Sequence, residues 1–194
     1  MPIKVLTLTI FIKFISVFAA NAFDEELLLD TIEDHWNKIK TMSGSFIQYN
    51  SDETMSYGDF YLSKPFKSKF IYQNNNETII TTESLIVTLD EEGFRIDSYP
   101  LLNSPIKNLL ITKFDFENLN ANIKLNEGDN FYHIYINELD YKTAAIFSFS
   151  KYSLDLKKWE IVDEFDQSTV LEFTKIKKNI SISPETYKVR YKNN

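Results

Sequence analysis

Two histidines, His35 and His133, are the only imidazoles in 194 residues. Neither falls in a metal-ligand spacing such as H-E-x-x-H. His35 stands beside Trp36, and His133 alternates within Phe131-Tyr132-His133-Ile134-Tyr135. Both read as exposed or hydrogen-bonded side chains rather than catalysts. The chain has no cysteine, which removes thiolate catalysis, redox motifs and cysteine-based zinc sites. It also removes N-terminal lipid attachment, which needs a cysteine at the cleavage site. Four glycines leave no phosphate cradle and no G-x-S-x-G turn. Carboxylates are plentiful, but they fall in turns and at a helix start, where solvation accounts for them. The expectation is therefore no catalytic residue, no metal and no cofactor: not an enzyme. A hydrolase that pairs two carboxylates only in space stays as the least favoured alternative.

The positive signals are a cation and an excess of rings. In Gly58-Asp59-Phe60-Tyr61-Leu62-Ser63-Lys64-Pro65, strand alternation puts Phe60 and Leu62 on one face. Lys64 continues that row, and Pro65 ends the pairing because it has no N–H to give. Sixteen Phe and eleven Tyr are many for one domain. A sheet covered by little helix is poorly matched to so many large side chains, which argues for a ligand cavity rather than a solid core.

Elements must position these residues. The start, with Lys4, a mainly apolar run from Val5 to Ala20 and Ala20-Asn21-Ala22, reads as a signal peptide of residues 1–22 cleaved after Ala22. One domain over residues 23–194 remains, and its net charge falls from −7 to −7 − 2 = −9 with loss of Lys4 and Lys13. An acidic chain without a basic cluster excludes nucleic acid and anionic membrane surfaces as partners. Leu28, Ile32, Trp36 and Ile39 draw one apolar stripe, predicting a helix from Asp24 to Met42 with Gly44 as its stop. From Ser45 on, short strands follow one another to Lys175, with two more predicted at Ser181–Ile182 and Tyr187–Tyr191. Ser104-Pro105 opens a short inserted helix through Leu110, expected to pack over the sheet beside the first helix. The fold class is mainly β with some helix (α+β), as one large antiparallel sheet, sandwich or barrel.

The order of motifs resembles the LolA-type periplasmic carriers of outer-membrane lipoproteins. The amphipathic helix runs into Ser45-Phe46-Ile47-Gln48, similar to the family's S-F-x-Q. Gly58 to Pro65 is similar to its G-x-[apolar]-[aromatic]-[apolar]-x-R-P strand, with lysine in place of arginine. Ser104-Pro105-Ile106-Lys107-Asn108-Leu109-Leu110 is similar to T-P-x-x-L-L, and Lys158 to Asp163 with Ser168 to Ile176 resembles the late hairpin that ends near Asn179. Thr82-Glu83-Ser84 replaces the family's D-G-K turn, and Lys69 replaces an arginine.

The resemblance implies an unclosed antiparallel β-barrel whose concave apolar face lies under a helical lid. It implies a monomeric carrier in the periplasm of a Gram-negative-type bacterium. Such a carrier takes lipoproteins from an inner-membrane releasing transporter and hands them to an outer-membrane acceptor. By resemblance, acyl chains meet Ile32, Trp36, Ile39, Phe46, Phe60, Leu62, Phe70, Ile106, Leu109 and Leu110, with Tyr72 added from strand alternation. Lys64 stands where the family's arginine latches the barrel to lid carbonyls. The alternative is a related open-barrel module that binds another lipid or acts as an envelope sensor.

Overall fold

Apolar alternation broken by short polar turns translates into a meander of hairpins. The computed structural model describes residues 25–104, 106–119, 121–138 and 144–189, so the expected signal segment lies outside the described residues. Helix α1 (residues 25–38) comes first. Six strands follow: β1 (Thr41–Tyr49), β2 (Met55–Ser63), β3 (Lys67–Tyr72), β4 (Thr78–Thr81), β5 (Leu85–Leu89) and β6 (Arg95–Pro100). A 3-10 turn (Leu101–Asn103) and the short helix α2 (Lys107–Leu110) interrupt the strands. They resume as β7 (Ala121–Glu127), β8 (Phe131–Glu138), β9 (Ala144–Ser150), β10 (Leu156–Val162) and β11 (Ser168–Lys178).

All eleven strands form one antiparallel sheet, in the order β6-β5-β4-β3-β2-β1-β11-β10-β9-β8-β7. Nearly every pairing is a local hairpin, which keeps loop-closure entropy low. The exception is β1 with β11, where Phe46 faces Phe173 and the two halves of the chain join. The edges β6 and β7 follow each other in sequence yet are not paired, so the sheet is an unclosed barrel. The connection between these edges carries α2.

Phe46 opposite Gly58 and Gly44 opposite Phe60 make a reciprocal pair across β1 and β2. Each ring lies where its partner strand offers no side chain. A Cβ on Gly58 would collide with the Ile71 carbonyl and come within 3.0 Å of the Phe46 ring. One on Gly44 would stand 2.5 Å from the Thr174 carbonyl oxygen. Space, rather than turn conformation, demands glycine at both positions.

Three sequence expectations need correction. The first helix ends at residue 38, not at Met42, and Gly44 lies inside β1 rather than stopping the helix. The cap comes from the far end of the chain. Asn179 accepts from the Lys40 N–H at 2.8 Å and donates its amide to the Lys38 carbonyl at 3.2 Å. The inserted helix is only four residues long, with Ile106 at its N-cap and no side-chain cap, and Pro105 lies outside the described residues. Ser181–Ile182 is not a strand; of the expected strand Tyr187–Tyr191, residues 190 and 191 lie outside the described residues, and Tyr187 closes a 3-10 turn, Pro184–Tyr187. Proline cannot donate to a ladder, and this segment instead packs Tyr187 on the convex face against Ile80, Val87 and Leu89.

Gly58→Ala is expected to destabilise the protein by roughly 1–3 kcal/mol, the range for overpacking a filled core. Urea unfolding checks it, and a loss of less than about 0.5 kcal/mol would mean that β2 and β3 yield freely at this point.

Candidate functional site

The stripe of α1 faces the concave side of the sheet. Ile32, Trp36 and Ile39 are buried there, with 0%, 2% and 3% of their surface exposed. Beneath them lie Phe46, Phe60, Leu62, Phe70 and Tyr72 from β1, β2 and β3, and beside them Ile106, Leu109 and Leu110. The eleven apolar positions singled out in the sequence therefore lie in one continuous cluster. Rings stack across it: Phe46 meets Phe70 and Tyr72 edge-on, at 5.4 and 5.0 Å between centroids, and Phe60 meets Phe173 at 5.0 Å.

Among the described residues, the space under α2 is nearly filled, and the larger opening on the concave face is a groove beside the lid. Between α2 and the sheet the remaining gap is about 10 Å³, at the lower limit for a single water. Lid side chains occupy the space around that gap. Trp36 packs edge-on against Phe149, and Phe114 against Phe147, each pair 6.4 Å apart.

The lid is stitched into one piece by polar side chains of α1. Asn37 donates to the Phe114 carbonyl at 2.7 Å and accepts from the Phe114 N–H at 2.8 Å. Glu33 accepts from the Phe116 N–H at 2.9 Å. The segment crossing the open side of the barrel is thereby tied to the first helix.

Lid and sheet meet at the end of β2. Lys64 Nζ donates to the Trp36 carbonyl at 2.9 Å and lies 4.2 Å from the centroid of the Trp36 ring. The Lys64 N–H donates to the Lys40 carbonyl at 2.9 Å. Phe66, in the left-handed region with φ 61°, donates its N–H to the Leu110 carbonyl at 2.8 Å, where α2 ends. One turn of the barrel thus bonds to both lid helices. Burial, with the nearby charge of Lys40, lowers the Lys64 pKa to about 7. The ammonium gains a hydrogen bond and a ring face but has given up most of its water. On another side of α1, His35 Nε2 lies 3.1 Å from Asp155 Oδ1, which Lys178 also contacts. Burial raises the Asp155 pKa, but bonds from Lys178, His35 and Ser153 outweigh it and the net shift is downward.

Beside the lid, a groove of about 220 Å³ remains along the concave face, between Phe70, Tyr72 and Ile79 on one side and Trp159, Ile161 and Leu171 on the other. Among the described residues no three His, Asp or Glu side chains gather as metal ligands. Nor is any helix there long and apolar enough to cross a membrane. What the arrangement offers is an apolar layer under a cover pinned by polar contacts at several points.

Residues 37–190 match the family described as outer membrane lipoprotein carrier protein LolA. The chain belongs to this family. A search of curated proteins finds no match. Among solved structures, MucB is similar at 10% identity with a TM-score of 0.51, over 86% of this chain and 63% of that one. This chain thus spans less than two thirds of the length of MucB. An uncharacterized conserved protein from Thermus thermophilus is similar at 11% identity with a TM-score of 0.50, over 87% of this chain and 99% of that one. A LolA superfamily protein from Nitrosomonas europaea aligns at 8% identity with a TM-score of 0.44, over 82% and 96% of the two chains. At such identities the likeness concerns the fold alone; a binding or carrier role fits the family that residues 37–190 match.

Sequence reasoning found the N-terminal half of the apolar layer and passed over the other half. Phe147, Phe149, Trp159, Leu171 and Phe173 complete it from β9, β10 and β11. Alternation within those strands could have named them. Asn37 and Glu33 had no such signal, because their partners are backbone groups about eighty positions away. His35, read as an exposed or hydrogen-bonded side chain, is hydrogen-bonded to Asp155, whose position 120 residues away the sequence did not indicate.

Asn37→Ala is expected to cost about 1–3 kcal/mol, since it leaves two Phe114 backbone groups unpaired in a half-buried place. Hydrogen exchange checks it: amides of residues 107–116 should exchange faster, while those of β1 and β11 keep their protection. Uniform loss of protection would mean that the lid does not move as a unit.

Proposed function

We propose that this protein carries lipoproteins across the periplasm by burying their acyl chains between the concave sheet and the lid. It receives them from an inner-membrane releasing transporter and delivers them, as a monomer, to an outer-membrane acceptor. The observation that carries this reading is the division of one apolar cluster between two bodies. The sheet supplies one wall, and a cover pinned to it at several polar points supplies the other. Membership of the LolA family supports it further. Ile32, Trp36, Ile39, Phe46, Phe60, Leu62, Phe70, Tyr72, Ile106, Leu109 and Leu110 are the proposed acyl contacts, and Lys64 is the proposed latch.

The closed, filled state has a function in this reading. Burying an acyl chain contributes about 0.8 kcal/mol per CH₂, so a chain of about 16 carbons supplies on the order of 10 kcal/mol. Opening the lid subtracts its own packing from that sum, which keeps the affinity low enough for release. The cargo replaces the lid's contacts with the sheet and moves the lid aside. Refilling the space with Leu109, Leu110 and Trp36 then helps to expel it.

Lys64 makes this exchange depend on pH. In the closed lid it loses its proton at about 7, against an ordinary value of 10.5. In an open lid its ammonium meets water and recovers a value near the ordinary one. Between those limits the open form binds more protons, so raising the pH favours closure. Affinity for methyl palmitate, a neutral probe, should therefore fall as pH rises from about 7 to about 10, and Lys64→Met should flatten that slope. Isothermal titration at several pH values checks it; equal slopes in both proteins would remove Lys64 from the gating.

The decisive experiment for the reading itself is mass spectrometry of protein purified from its native envelope without detergent. Acylated lipoprotein in stoichiometric amount is expected. Free lipid alone would favour a carrier of another lipid, and an empty protein that binds no acylated probe would overturn the proposal.

A further inference from the structure

Every second side chain of a strand points outward, and on an antiparallel sheet with one buried face those positions are ordinarily polar. Across the middle of this sheet they are not. Directly paired residues on neighbouring strands share a face. Tyr49 of β1 lies between Met55 of β2 and Val170 of β11. Beyond Val170 the same row runs through Glu160 of β10 to Ile146 of β9 and Tyr135 of β8. The next row on that face adds Ile47 and its partner Tyr57. Phe46, Phe147 and Trp159 alternate with these positions and point into the barrel, so the band lies on the convex face. It crosses six strands, about 24 Å at the usual strand spacing.

None of these apolar side chains belongs to a core cluster of the described residues. Tyr49, Met55 and Tyr57 are 44%, 54% and 47% exposed. The neighbouring part of the convex face is treated differently. There the outward Ile80, Val87 and Leu89 are buried beneath Tyr187, with Ile182 and Val189 packed against them. Among the described residues nothing covers the band in that way. An apolar surface of this kind, bare and continuous across several strands, marks an interaction site.

The charge around it is one-sided. Glu160 stands within the band, and Glu172 is paired with Ile47. The turns at the near end of the strands carry Asp52 and Glu53 after β1, and Asp163 and Asp166 after β10. A 3.4 Å bond from the Ser51 hydroxyl to Gln167 sets those two turns side by side, and neither contains a lysine or arginine. Lys158, in the row of Ile47, is already held by Glu172 at 3.2 Å. An anionic lipid surface would be repelled by these acids, and a second copy of the chain would bring the same acids face to face.

We propose that this band docks a cationic segment of another protein. The segment sets apolar side chains on Tyr49, Met55, Tyr57 and Val170 and directs lysine or arginine to the acids beside them. This surface lies on the opposite face of the sheet from the lid, and the inference stands apart from the carrier reading.

Photocross-linking in the native envelope tests it, with Met55→benzoylphenylalanine as the probe. Tyr152→benzoylphenylalanine is the control, because Tyr152 is fully exposed in a turn at the opposite end of the strands. The expected result is an adduct with another protein, formed from position 55 and not from position 152, whose attached peptide carries net positive charge. Tyr49→Ser with Tyr57→Ser should lower its yield at least about 5-fold, as loss of interface aromatic anchors does. Glu53→Lys leaves the apolar band intact and should lower the yield about 2- to 5-fold. Both tyrosines stand outside the core, so urea unfolding should give a midpoint near that of the wild type. An adduct with a second copy or with lipid, a neutral or acidic peptide, or no adduct at all would overturn the proposal. So would equal yields from positions 55 and 152, or a yield that neither variant lowers. None of these outcomes bears on the carrier reading.

Discussion

An antiparallel sheet with one apolar face must bury that face, and this sheet cannot do so by closing on itself. Strands β6 and β7 stand at opposite ends of an eleven-stranded order, although only one connection separates them in the chain. A closed barrel would have removed both edges and packed its interior with its own side chains. Here the interior of Phe46, Phe60, Phe70, Phe147 and Phe173 is completed by residues from outside the sheet. The connection that fails to close the barrel becomes its cover. The architecture depends on that single constraint.

The cover is apolar on its inner face and charged outside, and polar contacts pin it at several points, among them His35 with Asp155 and Asn179 with the end of α1. Asn37 and Glu33 join its two parts, whereas the turn after β2 joins it to the sheet through Lys64 and Phe66. The bonds at that turn end on backbone carbonyls of α1, its following residues and α2, so they depend on where the lid lies rather than on its side chains. Lys64 is the unusual member. Its ammonium is desolvated and faces a ring and a carbonyl rather than a carboxylate, which is why its proton is held loosely. A contact of that kind is easier to give up than an ion pair, because water repays the charge on opening. A cover meant to be displaced benefits from such a fastening.

The fold and much of the candidate site were legible in the residues. The stripe through Ile32, Trp36 and Ile39 marked a helix with one buried face, and it has one. Alternation placed Phe60 and Leu62 together, and both are buried on the concave side. Where the reading failed, the missing information was long-range. Periodicity carried the helix on to Met42 because nothing nearby announces that Asn179 will cap it at residue 38. Gly44 looked like a helix stop, yet its smallness serves the Phe60 ring on the next strand. The count of rings pointed to a cavity; which part of that space side chains fill, as they do beneath α2, is set by tertiary packing.

By itself, then, the sequence determined the local periods, the hairpin turns, the exclusion of thiol chemistry and the motif order that pointed to the LolA family. These properties are written in neighbouring residues, and short-range sterics and hydrophobic alternation enforce them. Only the tertiary structure decided that the barrel stays open and that the lid is closed and tightly packed. It alone brought Lys64 under the Trp36 carbonyl. Each of those depends on groups far apart in the chain, and their meeting is set by how the two halves of the sheet curl around a shared apolar layer.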